Sequence, residues 1–192
     1  MSVARWDGGE PQFLDQAGQP EAAAFVWRKL RAHDLGRLEW FKLLPLSGHH
    51  LLRGLCRYPL RAAPRSSELW QGYRITASAN VLPSFYPHRY ALAIGSVTRE
   101  APARSRRRPA WSYVLEDVTF RDAAETLVFV AGHEAFHFLR HSCQVPGRNT
   151  EPGANRYGLG WLEGWRSECA REVAMRGRRR WSAAAQLGLP FF

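Results

Sequence analysis

The alternation of apolar and polar positions divides the chain into unequal parts. Residues 1–20 contain Gly8, Gly9, Pro11, Gly18 and Pro20 and show little periodicity, which predicts a loose N-terminal tail. "EAAAFVWRKLRAHD" (21–34) places Phe25, Val26 and Leu30 on one side at helical spacing. The next stretch, "GRLEWFKLLPLSGHHLLRGLCRYPL", is apolar without a clear period, and short helices or one strand both fit it. "LWQGYRITASANV" predicts a strand over 73–79 with Tyr73, Ile75 and Ala77 on one face. "HRYALAIGSVTR" and "WSYVLEDV" predict strands over 89–98 and 111–118, joined by the Pro-flanked basic loop "EAPARSRRRPA". A long helix is expected over 121–142, with Thr119 as its N-cap and Pro146 and Gly147 as its stop. A second helix should begin in "NTEPGANRYGLGWL", capped by Thr150, with Pro152 in the first turn where its missing N–H costs nothing. Gly158, Gly160 and Gly164 each weaken that helix by ~1 kcal/mol relative to Ala, but small residues there would let another helix approach closely. No repeats are visible.

This order of elements predicts an α+β fold: a tail over 1–20 and a single domain over 21–192. With 192 residues, 45% hydrophobic and 12% aromatic, the chain can bury a real core. The net charge of +10 and pI of about 10.4 suit either an anionic partner or simply a basic surface. Cys56, Cys143 and Cys169 match no zinc spacing. The N-terminus "MSVARWDGGEPQF" has no apolar signal region, and no apolar run approaches the ~18 residues that would span a bilayer. The expectation is a cytoplasmic protein with reduced thiols and no membrane partner.

Chemistry enters with "GHEAFHFLRHS" (132–142), which holds His133, Glu134, His137 and His141. Residues four apart on a helix are separated by about 40° of rotation and about 6 Å of rise, so His133 and His137 can bond one zinc ion. Glu134 lies one residue further round. Zinc brings the pKa of a bound water toward ~7, and a carboxylate so placed can take its proton. A short motif also arises by chance, so its context matters. Here "TLVFVAG" precedes it, which predicts a buried helix on which two histidines and a glutamate need partners.

A third ligand is required for catalysis. His141 continues the spacing but lies about 12 Å along the axis from His133, too far for one ion to reach both. Cys143 stands where metzincins carry their third histidine, but Arg140 replaces the turning glycine. Glu151 is best placed, because a reversal at Pro146 and Gly147 can bring the next helix opposite the two histidines. His133, His137 and Glu151 with an open fourth position would make a catalytic zinc site, one ion per chain.

"HEAFH … EPGANRYGLGWL" resembles the gluzincin pattern of the ImmA/IrrE-type and related small metallopeptidases, in which HExxH is followed by a helix reading Glu-x-x-Ala-Asn/Asp-x-aromatic-Ala. Glu151, Ala154, Asn155 and Tyr157 stand at those positions, and Gly158 replaces the usual Ala. The resemblance covers residues 119–163. It implies a zincin-like, minigluzincin fold, a small mixed sheet packed on the active-site helix, with Glu151 as third ligand. It also implies that Asn155 steadies a ligand histidine; the alternative for Asn155 is a solvent-facing residue. The activity implied is a zinc-dependent metalloprotease hydrolysing peptide bonds with Glu134 as general base. The three predicted strands would supply the sheet, and an edge strand could bind an extended peptide. Tyr113, His88 and Tyr157 are candidates to stabilise an oxyanion, although Tyr157 falls on the side of its helix away from Glu151.

Two arginine clusters each carry a tryptophan: "RSRRRPAW", with Arg104, Arg106, Arg107 and Arg108, and "RGRRRW", with Arg178, Arg179 and Arg180. They suit phosphate contact and base stacking, or else are solvated segments. The second functional reading is therefore a basic nucleic-acid-binding protein whose metal site is structural or inactive.

Overall fold

A computed structural model describes residues 10–59, 72–99 and 110–186. The elements run β1 (Gln12–Asp15), α1 (Pro20–Leu30), β2 (Leu38–Leu46), β3 (Leu52–Arg57), β4 (Tyr73–Asn80), β5 (His88–Arg99), β6 (Ala110–Phe120), α2 (Ala123–His141) and α3 (Glu151–Gln186). The fold is α+β. Four strands form a mixed sheet in the order β1-β2-β4-β3, with β1, β2 and β4 parallel and β3 antiparallel to β4. β3 is therefore an edge strand. β5 and β6 form a separate antiparallel pair, with a bulge between Ala93 and Gly95.

Alternation sets the inner face of the sheet. Phe41 and Leu43 on β2 and Ile75, Ala77 and Ala79 on β4 are fully buried. By register Leu52, Gly54 and Cys56 on β3 share that face. α2 packs across β3 and β4 there, with α1 beside it. Phe25, Val26 and Leu30 of α1 complete this layer.

Several expectations shift. Residues 12–15, within the segment expected to be loose, pair as β1; residues 1–9 lie outside the described residues. The ambiguous stretch after α1 forms two strands, β2 and β3, rather than helices or one strand. The strands expected to make one sheet are divided: β4 lies in the mixed sheet, while β5 and β6 pair apart from it. The N-cap of α2 is Asp122, whose carboxylate accepts from the Glu125 N–H at 2.8 Å, not Thr119, which belongs to β6. α2 ends at His141, next to the expected 142, but the turn that ends it comes before Pro146. Cys143 adopts a left-handed backbone (φ 62°), and the Gln144 N–H returns to the Leu139 carbonyl at 2.8 Å, a helix ending that glycine more often provides.

The second helix begins as the sequence predicts, with Thr150 Oγ1 accepting from the Gly153 N–H at 3.2 Å. Gly158 does allow close helix contact: a Cβ there would lie 2.6 Å from the Phe129 carbonyl oxygen. Opposite it, a Cβ on Gly132 would lie 3.0 Å from Gly158 Cα and 2.9 Å from Trp161 Cγ. This glycine-to-glycine crossing sits beside His133 and two turns after Glu151. Helix contact and site assembly are thus one feature.

Candidate metal centre

His133 and His137 project from α2, and Glu151 opens α3. Their ligand atoms converge: His133 Nε2 is 3.1 Å from His137 Nε2 and 3.3 Å from Glu151 Oε2, and His137 Nε2 is 3.5 Å from Glu151 Oε1. All three groups lie within 4.8 Å of one another, and among the described residues no fourth His, Cys, Asp or Glu joins them.

The other ring nitrogens set how the two imidazoles face the cluster. His133 Nδ1–H donates to Asn155 Oδ1 at 2.9 Å, and Asn155 Nδ2 donates to the Ala93 carbonyl at 2.9 Å. A carbonyl only accepts, so the Asn155 amide is oriented, and its oxygen takes the proton on His133 Nδ1. His137 Nδ1–H donates to Asn149 Oδ1 at 2.7 Å, and Asn149 Nδ2 donates to the Tyr58 hydroxyl at 3.0 Å. With the protons on Nδ1, both Nε2 atoms present lone pairs to each other and to a carboxylate. Three electron-pair donors converging without a proton between them repel one another; a divalent cation resolves the conflict. Burial, and then the neighbouring His137, hold the His133 pKa below the ordinary imidazole range, which favours the neutral ring that a metal takes. Two nitrogens and one carboxylate oxygen could hold a metal ion. Solvent reaches Glu151, whose side chain is 66% exposed.

Glu134 is buried, 3.8 Å from His133 Nε2, and lies against the edge strand. A Cβ on Gly54 would fall 2.0 Å from Glu134 Oε1, and the Cys56 N–H bonds to the carboxylate. Burial, and then the charge of Glu151, push the Glu134 carboxyl up to about 8. These groups line a cleft of about 560 Å³ between β3 and β5. Leu52 and Leu55 line one side, Tyr90 and Leu92 the other, and Phe129 and Val130 on α2 flank the histidines. Among the described residues no lysine or arginine lines it.

Each sequence candidate has a place. His133, Glu134, His137, Glu151 and Asn155 are brought together, and Asn155 is buried rather than solvent-facing. His141 is exposed and apart from the cluster; its Nδ1 meets the Tyr73 hydroxyl and its ring packs on Tyr58. Cys143 is exposed and free. Of the oxyanion candidates none lines the cleft: Tyr113 is exposed on β6, His88 opens β5 and Tyr157 packs between Phe136 and Trp161. Tyr58 and Tyr90 stand there instead. Arg104, Arg106, Arg107 and Arg108 lie outside the described residues, and Arg178, Arg179 and Arg180 fall on α3.

Sequence reasoning passed over Asn149, Tyr58, Gly54 and the Cys56 amide. Two signals could have found them. A ligating histidine needs a partner for its second nitrogen, and Asn149 is a polar residue in the turn that must face His137. A glycine inside an apolar strand, as in "LLRGLCRY", marks a close approach.

Compared with protein-family models, curated proteins and solved structures, the chain matches none of them. Among the described residues no helix is long and apolar enough to cross a membrane.

Proposed function

We propose that the protein is a zinc-dependent metallopeptidase of the gluzincin type, with a minigluzincin-like core. The observation that carries this is the convergence of two unprotonated imidazole nitrogens and the Glu151 carboxylate, with Glu134 buried beside them in an open cleft. His133, His137 and Glu151 would hold the cation. Bound there, zinc supplies Lewis acidity, which acidifies water and polarises a carbonyl. Three protein ligands leave a fourth position open, which favours catalysis over the structural role of the alternative reading.

The remaining work falls to the chain's own groups. Among the described residues β3 pairs only with β4, so an extended peptide can add to its other edge as a further strand, along the wall that Leu52, Gly54 and Leu55 give the cleft. Glu134 accepts the proton of the attacking water at a carboxylate oxygen and returns it to the leaving amine. The Cys56 N–H and the absent side chain of Gly54 hold that carboxylate in place. Asn155 and Asn149 fix the two imidazoles in the tautomer that presents Nε2. The phenols of Tyr58 and Tyr90 are the groups at hand for the developing oxyanion.

Glu134→Gln tests the mechanism. The amide keeps the side chain's size but cannot take a proton from water. Cleavage of a peptide library by the zinc-loaded protein should fall at least ~100-fold, with zinc content unchanged. An undiminished rate in the Gln variant would refute the assignment of Glu134.

A further inference from the structure

α3 is much longer than the site requires. It runs for 36 residues, about 54 Å at ~1.5 Å per residue, yet among its described side chains only those of the first half reach the core. Ala154, Asn155, Trp161 and Leu162 are buried. From Ala170 to Arg176 every residue is exposed. That stretch is nearly two turns of helix, so all its sides face solvent, and no described element lies against it.

Its charge is one-sided. Between residues 170 and 186 the sequence has Arg171, Arg176, Arg178, Arg179 and Arg180 against Glu172 alone, and Glu172 already pairs with Arg176 at 2.5 Å. The apolar residues do not form a stripe. Val173 and Met175 are exposed, and at ~100° per residue Val173, Met175 and Trp181 lie about 80–160° apart around the axis. A helix that lies on a membrane gathers its apolar residues on one face. A helix that docks in a protein groove carries anchors at i, i+3, i+4 and i+7. This one has neither pattern. By sequence and helical spacing its five arginine positions spread over about 200° of the circumference, which suits an environment that is anionic on both flanks. The major groove of B-form DNA, about 12 Å wide with a phosphate backbone on each side, is such an environment and admits an α-helix. The deep, narrow groove of A-form RNA does not.

We propose that residues 170–186 form a basic helical arm that binds duplex DNA in its major groove. The contacts are to phosphates and are largely independent of sequence. The arm continues the helix that begins with Glu151, so DNA would be held by the same element that completes the metal centre.

Fluorescence anisotropy of the full chain with a labelled 20-base-pair duplex tests this. Wild type should bind at 50 mM salt with a steep salt dependence. Replacing Arg171, Arg176, Arg178, Arg179 and Arg180 with Gln should weaken binding at least ~100-fold and reduce the salt slope by at least ~2, since each neutralised phosphate contributes about 0.9. R178Q/R179Q/R180Q should move both quantities the same way by less, and the five lysine replacements should retain the slope. The proposal is overturned if wild type does not bind the duplex at 50 mM salt, or if both Gln variants bind as tightly as wild type. It is equally overturned if single-stranded RNA or vesicles of anionic lipid bind wild type as tightly as the duplex does.

Discussion

At the scale of residues, the candidate centre depends as much on what is missing as on what is present. Glu134 occupies the space that a side chain at position 54 would fill: a Cβ there would be 2.0 Å from Oε1. Nothing at that distance can be accommodated without moving the carboxylate or the edge strand. Gly54→Ala should therefore displace the base without touching a metal ligand. Peptide hydrolysis should fall about as far as in Glu134→Gln, while zinc content stays at the wild-type value. Hydrolysis at the wild-type rate would show that the carboxylate does not need this seat. HExxH names the ligands and the base, and a helical model gives their facing. It does not give Gly54, because the contact joins residues eighty positions apart and depends on the register of β3 against β4.

At the scale of elements, the joint between α2, α3 and β6 is a buried carboxylate. Glu125, 1% exposed, receives Arg166 Nη2 at 2.6 Å and Nε at 3.0 Å, the Arg121 N–H at 2.9 Å, and the Arg121 side chain. Arg166 also donates to the Thr119 carbonyl at 2.6 Å. Burial raises the Glu125 pKa, but the hydrogen bonds from Arg166 and Arg121 outweigh it and leave the carboxyl below its ordinary range. Its contribution to stability is therefore full above the unfolded carboxylate range, near ~4.3, and is lost as pH falls through the depressed folded value. Glu125→Gln should cost about 2–3 kcal/mol at neutral pH. That is less than the ~3–5 for a fully buried pair, because both arginines keep contact with water. Denaturant unfolding should also show a flatter loss of stability below pH 5 in the variant. Equal stability at pH 7 would mean the network is not a fastening.

Legibility at this scale follows periodicity. α2, the start of α3 at Thr150 and the alternation of β4 could be read from the sequence, because local pattern and tertiary burial agree there. β2 and β3 could not: "RLEWFKLLPL" is apolar on both faces of its strand, so period 2 is lost. The pairing of β5 with β6 away from the main sheet has no local signal, and "QFLD" is too short to announce the parallel partner it finds in β2.

At the scale of the whole molecule, the described cationic side chains and the cleft are set apart. Among the described residues the cleft is lined by apolar side chains and by the acids and histidines of the centre, without a lysine or arginine, although the chain carries a net charge of +10. Among the described side chains, Arg171 and Arg176 lie on the exposed stretch of α3, away from the cleft. An anionic polymer attracted to that stretch would not compete for the cleft, and a peptide entering the cleft meets an environment that favours a cation at its base. The proposed hydrolysis depends on that cation. The most direct measurement is the zinc bound per chain, read by elemental analysis after chelator treatment, reloading and dialysis, for wild type and for Glu151→Ala side by side. Wild type should retain about one zinc per chain, and the variant should fall well below one at the same free zinc. A wild type that retains none, or a variant that retains as much as wild type, would contradict the His133–His137–Glu151 site.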